Sequence, residues 1–160
     1  MRSFGSWTWL IIAPAIILGA WLAARGIVTV ISQRPDNLGV RDGQLAPCQP
    51  YPNGVCSQAS DEDEVHAIAP IPFQGSPQEA KERIIDILQD MPRMTLVASE
   101  PHYVHAELKT AGFGYIDDVE FLIDEKQGVI HFRSSARVPY YDFQVNRKRM
   151  EEIRAAFERR

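Results

Sequence analysis

The sequence predicts an α+β fold: a two-layer sandwich in which two helices cover one face of a roughly four-stranded antiparallel sheet, preceded by an N-terminal transmembrane helix. Three observations support this prediction. Residues 7–24 carry no charge, residues 94–135 contain period-two strand patterns, and amphipathic helical patterns precede and follow those strands. Helices that precede and follow antiparallel strands in the sequence pack on one sheet face, because each buries an apolar stripe there.

The composition is that of one modest domain with an appendage. The chain has 160 residues, of which 45% are hydrophobic and 24% are charged. Its formal net charge of −4 argues against a dedicated nucleic-acid binder. Basic residues do gather near the C-terminus, but glutamates are interleaved with them, as on a solvated helix face.

Residues 1–31 are expected to be a membrane anchor. The uncharged run at residues 7–24 would be roughly 27 Å long as a helix, close to the hydrocarbon thickness of a bilayer. Trp7, Trp9 and Trp21 lie near its ends, where tryptophans often anchor membrane helices. A cleaved signal peptide and a buried core helix are the alternatives, although the run is longer than the apolar part of a usual signal peptide.

Residues 32–64 are expected to be a linker or a wrapped loop. The segment is rich in proline and glycine, shows no periodicity and ends in four consecutive acids. It contains Cys48 and Cys56, whose spacing in such a loop favours a small disulfide, with inert thiols and a metal site as alternatives. Two thiols are too few for a structural zinc site, and the nearest histidine is the more distant His66.

The expected location follows from the apolar run and the cysteines together. A disulfide would place the domain outside the cytoplasm, as an anchor also suggests. We therefore expect a single-pass protein of the inner (cytoplasmic) membrane whose globular domain lies in the periplasm or an equivalent space. Arginines on both sides of the apolar run, Arg2, Arg25 and Arg34, leave the orientation open.

Two helices are expected in the globular domain, residues 65–160. The first begins at Ser76, which is followed by a proline at the first helical position and a glutamate at the capping-box position. The second spans residues 143–158, with Asp142 as its N-cap. An apolar edge strand within residues 65–73 precedes the first helix.

Four strands form the predicted sheet. They lie at residues 94–99, 102–109, 117–124 and 129–135. Apolar and polar residues alternate in the last two, and Gly128 closes the turn between them. Because a hairpin brings both apolar faces to one side, the natural register places Glu120 opposite Arg133. A slip of two residues would place Asp118 opposite Arg133 instead.

The sheet face away from the helices is the candidate surface. It would carry Tyr103, His105, Glu107, Asp118, Glu120, His131, Arg133 and Ser135. On one hypothesis, arginines converge here to hold an anion, because guanidinium groups bind carboxylates and phosphates through paired hydrogen bonds. The residues predicted to form this site are Asp118, Glu120, Arg133, Ser135, Arg137, Asn146, Arg147 and Arg149. The partner would be a small anion, a lipid headgroup or an envelope protein.

Two other hypotheses use the same residues. In the first, the arginines pair with neighbouring acids in a purely structural network that locks the last helix to the sheet. In the second, His105 or His131 acts as a general base in a hydrolase, and the other residues of its site are Glu120 and Ser135. The sequence has no nucleophile elbow, phosphate loop or HExxH motif, however.

A divalent-metal site is also disfavoured. Adjacent acids such as Asp117 and Asp118 point to opposite faces of a strand and cannot easily share one ion. The expected function is therefore a non-enzymatic ligand- or protein-interaction module that uses no metal and no cofactor.

Two blocks, DDVEF at residues 117–121 and VNRKR at residues 145–149, resemble those of a bacterial and plastid family catalogued as domain of unknown function 1499. The resemblance covers roughly residues 34–155. It implies an exported or membrane-associated domain and brings no established activity. The chain departs from the family pattern at Gln144, where the family usually has glycine, and at Gly54, where it tends to have cysteine.

Overall fold

A computed structural model describes residues 6–139 and 142–159, with side chains from residue 9 onward, and shows an α+β fold. The helices are α1 (Ser6–Ile31), α2 (Pro77–Asp90) and α3 (Val145–Arg159). The strands are β1 (Val40–Arg41), β2 (Gln44–Leu45), β3 (Gly54–Cys56), β4 (Ile71–Pro72), β5 (Met94–Ser99), β6 (Tyr103–Lys109), β7 (Ile116–Asp124) and β8 (Val129–Ala136). β1 and β2 form a separate hairpin.

The main sheet has six strands, so the prediction of roughly four is too small. Its order is β3–β8–β7–β6–β5, and β4 joins the same edge of β8 as β3. All of these strand pairs are antiparallel. The four predicted strands are β5 to β8. β3 was missed because it is three residues long and follows a segment rich in proline and glycine, with no period-two pattern to mark it.

The hairpin of β7 and β8 has the register that places the apolar residues of both strands on the same side of the sheet. Glu120 lies opposite Arg133, and Phe121 lies opposite Phe132. The register shifted by two residues is therefore not adopted. Gly128 has φ 66° in the connecting turn, a conformation that costs glycine little.

α2 and α3 cover one face of the sheet, as the sequence predicts. Ser76 caps α2, since its hydroxyl accepts a hydrogen bond from the Glu79 amide (3.2 Å) and its own amide donates to Glu79 Oε2 (2.9 Å). The core between these helices and the sheet includes Ala80, Ile84, Ile87, Leu88, Val104, Val119, Phe121, Ile130, Phe132, Met150, Ile153 and Phe157.

α3 begins at Val145, two residues later than predicted, because the preceding backbone is not helical. Phe143 and Gln144 have φ values of 55° and 61°. Asp142 still serves the start of the helix, since its carboxylate accepts hydrogen bonds from the Gln144 amide (2.9 Å) and the Asn146 amide (3.0 Å). The positive φ of Gln144 also explains why glycine suits this position.

Residues 32–48, which we call the wrapping segment, cross the second face of the sheet. The Gly39 amide donates to Glu120 Oε1 (2.7 Å), and Leu45 is buried against Tyr103. We call this side of the sheet the covered face. Its polar side chains are therefore enclosed by the chain's own N-terminal segment.

A disulfide joins Cys48 to Cys56, with Cα atoms 5.9 Å apart, as the loop composition favours. Cys56 belongs to β3 and lies opposite Arg133 of β8. The bond therefore ties the end of the wrapping segment to the edge of the sheet.

α1 contains one stretch, Trp9–Ile31, that is long and apolar enough to cross a membrane, with a mean hydropathy of 2.0. A signal sequence near an N-terminus has the same properties. Residues 9–23 are exposed, whereas Val28 and Ser32 are buried against the domain. Arg2 and the side chain of Trp7 lie outside the described part of the chain.

Candidate functional site

The eight residues predicted to bind an anion lie on both sides of the sheet. Successive residues of a strand point to opposite faces, so Arg133 lies on the covered face while Ser134 points toward α3. Arg149 and Asn146 reach Ser134 from α3. The predicted arginines therefore do not converge on one site, because the sheet lies between them.

An ion-pair network occupies the N-terminal part of β7 on the covered face. Arg137 donates to both oxygens of Asp118 (2.8 and 2.7 Å) and to Glu107 (2.5 Å). Arg34 from the wrapping segment also binds Glu107 (2.6 Å), and His105 Nε2 lies 2.9 Å from Asp118 Oδ1. The positive charges of Arg34 and Arg137 thus balance the negative charges of Glu107 and Asp118. The network joins the wrapping segment to β6, to β7 and to the residue that follows β8.

The electrostatics of this network keep its carboxylates ionised. Burial raises the pKa of Asp118, but hydrogen bonds from Arg137 and His105 outweigh burial and hold that pKa below its usual range. For Glu107, hydrogen bonds from Arg34 and Arg137 likewise outweigh burial and lower the pKa. The hydrogen bond to Asp118 raises the pKa of Arg137. These groups are stabilised in their charged forms rather than poised to exchange protons.

The same residues have the spacing of a metal site. Ligand atoms of His105, Glu107 and Asp118 all lie within 4.8 Å of one another. The guanidinium of Arg137 already binds both carboxylates. A cation would have to displace that guanidinium from the same oxygens, so the cluster is built as an ion-pair network.

Glu120 is the most buried acid of the covered face. Its carboxylate accepts hydrogen bonds from the Gly39 amide (2.7 Å), Tyr103 Oη (2.8 Å) and Arg133 Nη1 (3.1 Å). The Glu120 side chain is 0% exposed and that of Arg133 is 3% exposed. This is a buried charge pair supported by neutral donors.

The histidine, glutamate and serine of the hydrolase hypothesis do not form a relay. His105 binds Asp118, and His131 Nδ1 lies 3.3 Å from Ser57 Oγ. Ser135 Oγ is buried and has no hydrogen-bond partner among the residues that the structure describes. Burial lowers the pKa of His131. Within the described part of the chain, neither His105 nor His131 is therefore hydrogen-bonded to Ser135, the serine that it would activate.

A second polar network joins the sheet to α3 on the helix side. Arg149 binds Asp117 (2.6 Å) and Asn146 Oδ1 (2.6 Å), and Ser134 Oγ donates to Asn146 Oδ1. Asn146 Nδ2 also donates to the backbone oxygen of Asn53 (3.0 Å). Burial raises the pKa of Asp117, and Arg149 opposes that effect. These contacts hold α3 to β3, β7 and β8.

Arg147, the remaining predicted ligand, binds backbone rather than a carboxylate. Its guanidinium donates to the carbonyl oxygens of Ala67 and Val65, each at 3.0 Å. It therefore fastens α3 to the chain that leads into β4.

A cleft of about 560 Å³, which the sequence interpretation missed, lies where β6 and β8 end and β7 begins. We call it the aromatic cleft. Its lining includes Asn53, Thr110, Phe113, Tyr115, Asp117, Val138, Asp142, Phe143 and Val145. The stretch AGFGY at residues 111–115 was the available signal, since aromatic residues between glycines are typical of an exposed functional loop.

The fold and these networks define a class of protein. It is an α+β domain that follows a long apolar helix, and the segment after that helix covers one face of its sheet. Residues 44–157 match the family described as "Protein of unknown function (DUF1499)". The match covers more than half of the chain, and the chain belongs to this family. No curated protein and no solved structure matches it.

Proposed function

We propose that this chain is a single-pass, membrane-anchored interaction module without catalytic activity of its own. α1 is the anchor, and the globular domain lies in the periplasm or an equivalent space. One observation carries the proposal: residues 9–23 of α1 expose an apolar surface on all sides, while the domain holds the C-terminal end of the same helix.

The contacts at the end of α1 support an anchor that is integrated with the domain. Arg25 Nη1 donates to the backbone oxygen of Gly112 (2.6 Å), and Arg137 Nη1 donates to that of Ser32 (3.2 Å). Val28 is 5% exposed. The anchor and the domain would then have a defined relative orientation.

The absence of catalysis is inferred from how the polar groups are used. The candidate acids bind arginines, and the histidines of the hydrolase hypothesis bind groups other than Ser135. Groups held in this manner stabilise the fold. The Cys48–Cys56 disulfide supports an oxidising compartment.

Membrane fractionation of the full chain with a C-terminal epitope tag tests the proposal. We expect the protein to stay in the membrane pellet after alkaline carbonate washing, and its intact mass to include residues 1–31. Protease added to spheroplasts should remove the tag. The variant Ile16→Arg/Ile17→Arg should leave the membrane, because each central arginine costs about 3 kcal/mol in insertion.

A soluble product that lacks the apolar run would show a cleaved signal sequence and would overturn the anchor. A tag protected from protease in spheroplasts would overturn the proposed orientation.

Anion binding beneath the disulfide loop is a second candidate function. Arg133 Nε is buried without a hydrogen-bond partner among the described residues. A cavity of about 350 Å³ lies beside Arg133, Cys48 and Cys56. A guanidinium with an unused N–H next to a cavity favours a carboxylate or phosphate ligand.

A thermal-shift panel of phosphate, anionic headgroups and acidic sugars tests the anion site. A ligand of the folded state raises the melting temperature, so one anion class should raise it for the wild type. Arg133→Lys keeps the charge and removes the Nε donor, and it should abolish the rise. A flat panel for the wild type would remove this candidate.

A further inference from the structure

The aromatic cleft lies at the end of the domain that meets α1. Thr110 and Tyr115 of its lining belong to the β6–β7 loop, and Gly112 of the same loop accepts the hydrogen bond from Arg25. The exposed residues 9–23 extend roughly 22 Å beyond this contact. If α1 crosses a bilayer, the loop therefore lies at the bilayer surface.

The rim of the cleft is apolar and exposed. Phe113 is 45% exposed, Tyr115 is 37% exposed and Val145 is 45% exposed. Large apolar side chains grouped around a concave surface mark an interaction site. Aromatic residues are also the side chains that membrane proteins place at the interface of the bilayer.

The polar part of the lining accepts hydrogen bonds and is acidic. Asp117 and Asp142 contribute carboxylates, and none of the described lining residues is a lysine or an arginine. Asn53 is 1% exposed, and both its Oδ1 and the Oγ1 of Thr110 are buried without partners among the described residues. Asn53 Nδ2 is already used by the carbonyl oxygens of Ala136 and Val138, so only its oxygen is available.

The ligand of such a cleft donates hydrogen bonds and carries positive charge. Arg149 compensates Asp117 from behind the cleft. The carboxylate without an ion pair among the described residues is then Asp142, whose oxygens also accept hydrogen bonds from Gln144 and Asn146. A phosphate or a carboxylate placed against these carboxylates would be repelled, so the phosphate of a lipid headgroup has to lie outside the cleft. A primary ammonium has three N–H donors and is attracted to aromatic faces, whereas a quaternary ammonium has no N–H donor.

We propose that the aromatic cleft binds the primary ammonium of an ethanolamine lipid headgroup in the membrane that holds α1. The inference rests on the proposed membrane anchoring. It names the recognised group as the ammonium end of a zwitterionic headgroup, which is opposite in charge to the anion expected from the arginines.

The test uses the full chain in nanodiscs of phosphatidylcholine, alone or with phosphatidylethanolamine or phosphatidylglycerol. We expect the melting temperature of the domain to rise by about 5 °C with phosphatidylethanolamine only. Soluble O-phosphoethanolamine, added to the chain in detergent, is a separate arm. A rise in that arm shows that the headgroup alone is recognised, and a rise in nanodiscs only shows that the apolar rim is needed.

Two variants and their controls make the test specific. Thr110→Val keeps the side-chain shape and removes an unpartnered hydroxyl, so it should fold normally in phosphatidylcholine and lose the rise with phosphatidylethanolamine. Phe113→Ser should weaken the response in nanodiscs. Thr95→Val and Leu96→Ser change exposed residues of β5 outside the cleft and should respond as the wild type does.

Equal responses to the ethanolamine and glycerol lipids, or a full response in Thr110→Val, would overturn the inference. So would a flat response in both nanodiscs and detergent. A flat response from a chain that is recovered in membranes refutes this ligand alone. Recovery in the soluble fraction refutes the anchor, and the detergent arm then still decides whether the cleft recognises the ammonium group.

Discussion

At the scale of single residues, most of the charges predicted to form the anion site are engaged in ion pairs within the domain. Glu120 and Arg133 are both buried and hydrogen-bonded together. Removal of one partner from such a pair leaves an uncompensated charge in a poorly solvated environment, which is costly. The sequence was compatible with this arrangement, since β7 carries the acids and the natural hairpin register places Arg133 of β8 opposite Glu120.

Glu120→Ala is expected to lower the free energy of unfolding by about 3–5 kcal/mol, because Arg133 then remains buried without its carboxylate. Urea denaturation monitored by circular dichroism measures the change. Glu152→Ala is the matched control, since Glu152 is exposed and 4.0 Å from Lys148, and it should cost less than about 1 kcal/mol. Equal effects of the two variants would mean that the buried pair contributes no more than a surface pair.

Gly54→Ala is expected to destabilise the domain by about 1–3 kcal/mol through overpacking. A Cβ at this position would lie 2.9 Å from the backbone oxygen of Ser134 and 2.9 Å from Ser135 Oγ. The double variant Gly54→Ala/Ser135→Ala should recover only part of the loss, because the backbone oxygen remains. Gly39→Ala is no suitable control, since Gly39 has a positive φ. Gly19→Ala in α1 serves instead, because no atom lies within 4 Å of a Cβ built there. A neutral Gly54→Ala would show that β3 can shift away from β8.

At the scale of elements, the wrapping segment decides what the sheet presents to solvent. Residues 32–48 reach the covered face through Arg34, Gly39 and Leu45, and the disulfide fixes the end of the segment to β3. Arg34 of the segment forms an ion pair with Glu107, which Arg137 also binds, and the buried apolar cluster on this side is small. The attachment of the segment should therefore depend on pH.

Acid should weaken this attachment. The pKa values of Asp118 and Glu107 are lowered in the folded state, whereas unfolded carboxylates titrate near about pH 4. The unfolded state then binds more protons, so the stability from these groups is complete above about pH 5 and is lost as the pH falls through their folded pKa values. Asp117 has a raised pKa and acts in the opposite sense, favouring the folded state as its carboxyl protonates.

Urea denaturation at a series of pH values measures this dependence. Asp118→Asn should give a shallower loss of stability between about pH 5 and pH 3 than the wild type. Asp61→Asn, an exposed acid of the same charge, should keep the wild-type slope. Identical slopes for Asp118→Asn and the wild type would remove Asp118 from this explanation.

At the scale of the whole molecule, the end of α1 is continuous with the domain. Arg25 stacks on Trp21 with its Cζ 4.9 Å from the ring centroid and binds the β6–β7 loop at Gly112. Val28 and Ser32 are buried beyond it. If α1 is the proposed membrane anchor, the helix determines which end of the sheet faces the membrane, and that end carries the aromatic cleft.

Arg25→Met should loosen the β6–β7 loop without unfolding the domain, because it removes one exposed hydrogen bond and keeps the aliphatic stem. Hydrogen exchange of the amides at residues 110–115 in the full chain should become severalfold faster, while amides of β7 and β8 keep their protection. Arg41→Met is the control, since Arg41 binds only the backbone oxygen of Asp36 among the contacts described for it. Unchanged exchange in the loop would mean that α1 is not docked in solution.

Local rules were enough for the elements whose signals lie close together in sequence. The capping box at Ser76 determines where α2 starts. Period-two alternation with Gly128 determines β7 and β8 and favours the register that they adopt. The start of α3 is an exception. The positive φ angles of Phe143 and Gln144 place it at Val145, and helix propensity does not predict such angles.

The sequence by itself thus determined the α+β class, the apolar helix and the four strands β5 to β8, and it favoured the pairing of Glu120 with Arg133. Only the tertiary structure decided that the polar face is covered, that Arg149 lies across the sheet from Arg133, and that a cleft forms beside Thr110. An alternating strand looks the same whether its polar side meets water or a segment with complementary charges. The distinction depends on contacts between residues about a hundred positions apart, such as Ser32 and Arg137, and no local pattern encodes them.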